Sequence, residues 1–195
     1  MNRPRGIIAV AAALVSATTL APVAQATTPS DCTQGSARTA IHAGLIGSKH
    51  LREGMTRTGP ATAAAECRYT LYNDGATYTF SSDDVFAGVT AFTWWDWETD
   101  GYTRSEVTEI IRAEQYTVQL AELQADGSLG PFVELELVQT PVKYHVFAGQ
   151  GLTAYQVTGV VLDLQPGTYV SQFSQSSPYW PGEDFQATVT LVVTG

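Results

Sequence analysis

The stretch FQATVTLVVT, residues 185–194, alternates apolar and polar side chains over most of its length. Phe185 and every second residue after it fall on one face, while Gln186, Thr188 and Thr190 fall on the other. Successive side chains of a β-strand point to opposite faces, so this period of two predicts a strand with one buried and one wetter face. Such a strand belongs to a sheet that packs one face against a core.

Similar runs of β-branched and aromatic residues continue back to Arg68. Asn73-Asp74-Gly75 and Asp126-Gly127 separate some of them and are turn sequences, because glycine tolerates positive φ and Asn or Asp side chains bond the local backbone. We therefore expect consecutive strands to pair antiparallel. The other predicted strands are Arg68–Tyr72, Thr77–Ser81, Val85–Trp97, Tyr116–Leu123, Phe132–Thr140, Val142–Phe147, Ala154–Leu164 and Thr168–Ser174.

The sequence Leu164-Gln165-Pro166-Gly167-Thr168-Tyr169 resembles the tyrosine corner of Greek-key proteins. In such a corner, proline and glycine turn the chain and the tyrosine hydroxyl bonds back to nearby backbone. The resemblance covers this short segment alone and favours a β-sandwich over a barrel without identifying a family. The predicted fold class is all-β: an antiparallel, Greek-key-like β-sandwich with one short inserted helix and an irregular N-terminal segment.

One helix is predicted between the strands, over residues 104–113. Thr103 and Glu106 have the spacing of a capping box, in which each side chain satisfies a free backbone donor of the other residue. Val107, Ile110 and Ile111 then supply one apolar stripe. The helix should pack this stripe against the sandwich.

Residues 1–26 have the layout of a secretory signal peptide. Arg3 and Arg5 precede an alanine-rich apolar run, and Ala24 and Ala26 suit a signal peptidase. The run is shorter than the ~20 apolar residues of a membrane helix, so cleavage is preferred over retention as an anchor, and no transmembrane segment is expected in the mature chain. We predict a secreted, extracellular or periplasmic protein, with an irregular segment over residues 27–66 and the sandwich domain over 67–195.

Cys32 and Cys67 are the two cysteines of the chain. Exported proteins meet oxidising compartments that favour pairing, so we predict a disulfide between them that ties the N-terminal segment to the sandwich. A bond of this kind stabilises by roughly 3 to 4 kcal/mol on the chain-entropy estimate.

The chain is acidic, with 10 lysine and arginine residues against 19 acids and a formal net charge of −9. Removal of the signal peptide would make it more negative, because that segment contains two arginines and no acid. Phosphate binding relies on clustered lysine and arginine, so the charge argues against nucleic acid, and no nucleic-acid partner is expected.

The stretch WWDWETDG, residues 94–101, concentrates aromatic and acidic residues. Asp96, Glu98 and Asp100 are candidate metal ligands, because their alternate spacing followed by Gly101 resembles the start of an EF-hand calcium loop. The twelfth position of such a loop should be a bidentate glutamate and is Val107. No cofactor is expected, with Ca²⁺ as the alternative.

A second interpretation of the same stretch is ligand binding by aromatic rings with a neighbouring carboxylate. The candidate residues are Trp97 and Asp100, together with Tyr179 and Trp180 in the proline-flanked stretch 178–182. Such rings offer stacking platforms for a sugar, although a proline-flanked tryptophan also suits a plug at the end of a sandwich. The expected partner is an extracellular glycan or protein.

A third interpretation is a hydrolase that uses a pair of these acids, one as proton donor and one as base or nucleophile. The sequence contains no Gly-x-Ser-x-Gly elbow, no His-Glu-x-x-His helix and no phosphate-binding glycine loop. We therefore expect a secreted binding or interaction module, and an enzyme is the less favoured reading. The alternatives are a small extracellular hydrolase with an acidic site and a structural envelope or matrix protein.

Overall fold

The computed structural model describes residues 32–38, 41, 67–146 and 151–195. In this part of the chain two five-stranded sheets pack together, and one ten-residue helix is inserted between strands. The predicted all-β sandwich with a short helix is therefore confirmed.

Residues 34–38 form helix α1, residue 41 is also helical, and helix α2 spans Arg104–Ala113. The strands of the described ranges are β1 (Arg68–Thr70), β2 (Thr77–Ser81), β3 (Val85–Trp94), β4 (Gln115–Glu122), β5 (Val133–Glu134), β6 (Val138–Gln139), β7 (Lys143–Val146), β8 (Leu152–Asp163), β9 (Gly167–Ser176) and β10 (Phe185–Thr194).

Sheet 1 has the order β1-β3-β8-β6, with β7 also paired to β8, and sheet 2 has the order β2-β10-β9-β4-β5. The pairs β1–β3 and β2–β10 are parallel, and the other pairs are antiparallel. The expected hairpin at residues 73–75 is wrong, because this turn carries the chain from sheet 1 to sheet 2. There the Gly75 N–H donates to the Thr188 carbonyl of β10 at 2.8 Å.

The turn at Asp126-Gly127 does join an antiparallel pair, as predicted. Gly127 has a φ of 83°, and the Asp126 carboxylate accepts the Ser128 N–H at 2.9 Å. Leu123 bridges to Leu129 before β5 pairs with β4.

The predicted strand over 132–140 is two short strands in different sheets. Val133–Glu134 pairs with β4 in sheet 2, and Val138–Gln139 pairs with β8 in sheet 1. The regular alternation of residues 133–137 hides this change of partner, because Leu135 and Leu137 pack against the core while the segment crosses between the sheets.

The main core fills the space between the sheets. Tyr69 crosses this core, and its hydroxyl donates to Ser171 Oγ on β9 at 3.2 Å, which links the two sheets. Burial raises the pKa of Tyr69, so its hydroxyl stays neutral. The buried members of the core are Tyr69, Leu71, Phe86, Tyr116, Val118, Leu120, Val160, Leu162, Phe173, Ala187, Val189, Leu191 and Val193.

A second, smaller core lies on the other face of sheet 1. Ala37 of α1 and Ile41 are fully buried there against Ala87, Val89 and Val157. The predicted disulfide between Cys32 and Cys67 is present, and the Cys32 carbonyl accepts the Val85 N–H at 2.8 Å. The described part of the N-terminal segment therefore covers sheet 1 as a third layer.

Helix α2 begins where the capping box predicts. The Thr103 hydroxyl accepts the Glu106 N–H at 3.3 Å, and the Glu106 carboxylate accepts the Thr103 N–H at 2.8 Å. Val107, Ile110 and Ile111 are its buried residues, as predicted.

The tyrosine corner is also formed, since the Tyr169 hydroxyl donates to the Gln165 carbonyl at 3.0 Å. No helix among the described residues is long and apolar enough to cross a membrane. The predicted signal peptide and most of residues 27–66 lie outside the described residues.

The contact between Tyr69 and Gly88 gives a first prediction. A Cβ at position 88 would lie 2.7 Å from Tyr69 Cζ and 2.8 Å from Leu71 Cδ2, inside the closely packed core. Gly88→Ala should therefore lower the free energy of unfolding by about 1 to 3 kcal/mol in urea denaturation.

Gly35→Ala is the matched control, because the nearest atom to its added Cβ is Thr33 Oγ1 at 3.6 Å and the site is helical. It should be neutral or stabilise by up to about 1 kcal/mol. Equal stability of Gly88→Ala and the wild type would show that the core has room at Gly88.

The disulfide gives a second prediction. Replacing Cys32 and Cys67 together with serine should lower the free energy of unfolding by roughly 3 to 4 kcal/mol, because the unfolded chain regains the freedom of the closed loop. Denaturation of the wild type with and without reductant is the internal control. A loss well under 1 kcal/mol would mean that the N-terminal segment contributes little to the folded state.

Candidate functional site

Two loops meet at one end of the sandwich. The first follows β3 and covers residues 95–103, and the second, residues 177–184, joins β9 to β10. We call the ring cluster that they share the aromatic end; it consists of Phe92, Trp94, Tyr102, Tyr179 and Trp180.

Trp94 and Trp180 hold this cluster together. The Trp94 ring makes edge contacts with Tyr102 at 4.6 Å and with Trp180 at 5.8 Å, measured between centroids. Trp180 also stacks on Phe92 at 6.4 Å, with 17° between the ring planes. Edge and offset contacts at these distances are favourable arrangements of aromatic quadrupoles.

Tyr179 is the most exposed ring of the aromatic end. Its side chain is 49% exposed, and its ring lies 6.3 Å from the Trp180 ring. Trp180 is half-buried, so it plugs the end of the sandwich and still shows part of its surface to solvent. Its packing agrees with the interpretation as a plug, and ligand contact by Trp180 stays a prediction.

Backbone hydrogen bonds between residues close in sequence fix the loop that carries Tyr179 and Trp180. The Ser177 carbonyl accepts the Trp180 N–H at 3.3 Å, and the Trp180 carbonyl accepts the Glu183 N–H at 3.2 Å. Gly182 has a φ of 88°, a conformation that glycine adopts at little cost. The proline-rich sequence therefore forms two successive turns rather than an extended connection.

Asp100 places an exposed carboxylate beside the rings. The Trp94 indole N–H donates to Asp100 Oδ2 at 2.8 Å, which satisfies the indole and orients the acid. Asp100 Oδ1 stays available to accept further hydrogen bonds from a ligand. Asp100 and Trp180 are thus both held by Trp94.

The sequence predicts a strand that continues to Trp97, but β3 ends at Trp94. Asp96 has a φ of 50°, and its carbonyl accepts the Thr99 N–H at 3.0 Å, so the chain turns away from the strand direction after Trp94. Asp96 and Glu98 are exposed. Within the described ranges no group of three or more His, Cys, Asp or Glu side chains is placed to hold a metal ion, and the structure carries no test of calcium binding, which stays a prediction.

Trp97 requires a correction as a ligand-contacting residue. Its side chain is 2% exposed and packs with Val107 and Ile111 of α2 and with Ala154 of β8. The turn at Asp96 directs Trp97 under the helix, where it acts as a core residue. Because β3 ends at Trp94, Trp97 lies outside the strand that was predicted to include it.

Glu114 is a notable residue that the sequence analysis missed. It directly follows α2, is 6% exposed, and its Oε2 accepts the Gln175 side-chain N–H at 2.9 Å. Burial raises the pKa of Glu114 in spite of the hydrogen bond from Gln175. The available signal was an acid placed immediately before the alternating apolar positions of β4.

Two surface pockets, of about 340 and 280 Å³, lie elsewhere on the sandwich. The larger includes Pro131, Val133 and Tyr169, and the smaller includes Glu136 and Asp163. Neither is lined by a residue of the aromatic end or by the acids at 96, 98 and 100. The hydrolase interpretation of those three acids therefore gains no cleft from these pockets.

No protein-family model matches the chain, and no curated protein matches it. Among solved structures, the cysteine protease inhibitor EhICP2 from Entamoeba histolytica has a TM-score of 0.33 and 14% identity, covering 65% of this chain and 93% of its own. Amebosin has a TM-score of 0.30 and 15% identity, covering 65% of this chain and 96% of its own.

A family 123 glycoside hydrolase from Clostridium perfringens has a TM-score of 0.30 and 8% identity, covering 62% of this chain and 23% of its own. Similarities at these scores carry no argument about what this protein binds or catalyses.

The different burial of Trp180 and Tyr179 gives a third prediction. Trp180→Ala removes a ring that packs on Phe92 and Trp94 and should lower the free energy of unfolding by about 1 to 3 kcal/mol, less than for a fully buried tryptophan. Tyr179→Ala should change it by less than about 0.5 kcal/mol. Urea denaturation of both variants checks this, and equal losses would mean that Tyr179 is part of the packed end rather than free for a ligand.

Proposed function

We propose that this protein is a secreted binding module that recognises a glycan at its aromatic end. The observation that carries the proposal is the half-exposed Tyr179 ring beside Trp180, whose ring contacts Trp94, the residue that orients the Asp100 carboxylate. Binding sites combine apolar and aromatic surface with a few fixed polar groups, and the aromatic end has both.

A sugar ring fits this combination of groups. Its C–H face covers the apolar surface of an aromatic ring, while its hydroxyls still find hydrogen-bond acceptors at the edge. Tyr179 supplies the ring, and Asp100 supplies an acceptor that the Trp94 indole already orients. A neutral glycan is favoured because its hydroxyl groups donate to carboxylates without adding further negative charge.

The platform is already ordered before a ligand arrives. Trp180 is fixed by Phe92 and Trp94, and its backbone is tied to Ser177 and Glu183. Binding therefore costs little ordering of the loop, which favours affinity from a small contact area.

The disulfide between Cys32 and Cys67 supports an extracellular location, because such bonds persist in oxidising compartments. The signal peptide predicted for residues 1–26 supports the same proposal. An exported binding module accounts for the exposed rings and the carboxylate of the aromatic end.

The fourth prediction tests this function. The mature protein is titrated with a panel of soluble neutral oligosaccharides, and binding is measured by calorimetry. At least one member should bind, and Tyr179→Ala should weaken that binding about tenfold or more, which is a loss of ~1.4 kcal/mol. Asp100→Asn should weaken it as well, because amide oxygens are poorer acceptors than charged carboxylate oxygens.

Tyr72→Ala is the matched control, since Tyr72 is 50% exposed, like Tyr179, but lies outside the aromatic end. It should leave the affinity unchanged. Failure of every oligosaccharide to bind would overturn the glycan as ligand, and unchanged affinity of Tyr179→Ala would overturn the aromatic end as the site.

A further inference from the structure

The larger of the two surface pockets lies at the β5 edge of sheet 2. Leu120 of β4 is paired there with Val133 of β5, and Glu122 of β4 is paired with Tyr169 of β9. Directly paired side chains stand on the same face of a sheet. All four residues line the pocket, together with Gln124, Gly130, Pro131 and Leu135. The pocket is thus built across three neighbouring strands.

This pocket opens the core-facing side of sheet 2 to solvent. Leu120 is 9% exposed and belongs to the main core, so the face that it shares with Val133 is the one that packs against sheet 1 elsewhere. Val133 is nevertheless 59% exposed. Sheet 1 therefore does not cover Val133, and apolar surface of the core face stays accessible to a partner.

The charge of this pocket is negative. Among the described residues that line it, Glu122 alone is charged, and it is exposed. Between Arg112 and Lys143 the chain contains no lysine, arginine or histidine, while exposed acids stand at positions 122, 126, 134 and 136. The whole chain has a formal net charge of −9. A cationic partner is therefore attracted to this edge, and an anionic one is repelled.

The combination of apolar walls and one acid selects the occupant. A purely apolar ligand would cover the Glu122 carboxylate and leave it without water or a partner, which is costly. A lysine or arginine side chain avoids this cost, because its methylene stem packs on apolar surface while its charged head reaches the acid. The volume of about 340 Å³ is more than ten times the ~30 Å³ of one water in the liquid, so the pocket has room for more than one side chain.

The Tyr169 hydroxyl favours the same occupant. Its proton is used in the hydrogen bond to the Gln165 carbonyl, so toward a ligand this hydroxyl acts as an acceptor. The Glu122 carboxylate is an acceptor as well. Ammonium and guanidinium groups carry donors only and therefore match both of them.

We propose that this pocket docks a basic peptide segment of a protein partner, with a lysine or arginine at Glu122 and a neighbouring apolar side chain against Leu120 and Val133. The site is separate from the aromatic end and does not depend on a glycan. A second copy of the chain fits less well, because it brings the same excess of negative charge.

The fifth prediction tests this docking with a capped tetrapeptide that alternates leucine and lysine. The peptide is titrated into the mature protein, and NMR shifts of the backbone amides report both the affinity and the residues affected. Amides of residues 120–124 and 132–135 and of Tyr169 should shift. The affinity should fall when salt is raised from about 0.05 M to about 0.3 M, because salt screens exposed charges.

Two further peptides separate the charge from the apolar contact. A tetrapeptide that alternates leucine and glutamate should bind at least about fivefold more weakly, because it places like charges together. A tetrapeptide that alternates glycine and lysine keeps the charge and lacks the apolar side chains, so it should bind more weakly as well.

Glu122→Gln keeps the shape of the side chain and removes its charge. The lysine peptide should then bind roughly two- to fivefold more weakly, the size expected for one exposed ion pair. Glu122→Lys should reverse the preference and favour the glutamate peptide. Glu136→Gln is the matched control, since it removes the same charge from an exposed residue that lines the smaller pocket instead. It should keep the wild-type affinity.

The proposal would be overturned by no binding of the lysine peptide, by equal binding of the lysine and glutamate peptides, or by equal losses in Glu122→Gln and Glu136→Gln. Pentylamine has the stem and head of lysine without a peptide backbone, and equal affinity for it would identify a small amine as the occupant instead of a peptide. Shifts of the same amides that depend on protein concentration, without peptide, would identify a second copy instead. None of these probes is a glycan, so their outcome is independent of whether the aromatic end binds one.

Discussion

The pairing of β3 with β8 is the constraint on which the rest of the structure depends. Ten residues of β3 pair with residues 154–163 of β8, and side chains on both faces of this ladder are buried. One face meets sheet 2 through the main core, and the other meets α1 and Ile41. Two glycines make this double burial fit: Tyr69 packs over Gly88 on one face, and Ile41 packs over Gly159 on the other.

The same ladder determines where the candidate site forms. Its last pair joins Trp94 to Ala154, so the central ring of the aromatic end stands at the edge of this ladder. Trp97 and the apolar face of α2 pack against Ala154 in a small core of their own. Sheet 2 contributes the second loop, which runs from the end of β9 to the start of β10, and the contact between Trp94 and Trp180 joins the two sheets there.

The sequence predicts the elements of this fold better than their partners. Alternation located β10, a run of β-branched and aromatic residues located β2, and the capping box located α2, because these signals depend on neighbouring residues alone. The parallel pairing of β1 with β3 could not be predicted, since alternation reports which face is buried and not which strand lies beside it. The predicted strand was extended to Trp97 wrongly for a local reason. Asp96 adopts a left-handed conformation that ends the strand, and the residue types before it do not indicate this conformation.

Glu114 is a buried acid at a position where packing alone does not require an ionisable group. Glutamine at this position would make the same bond to Gln175 and bury no ionisable group, so stability alone favours the amide. The acid costs stability as it ionises, because burial raises the pKa of Glu114. Its side-chain hydrogen bond to Gln175 joins the end of α2 to the end of β9, so the acid stands where the helix and sheet 2 meet.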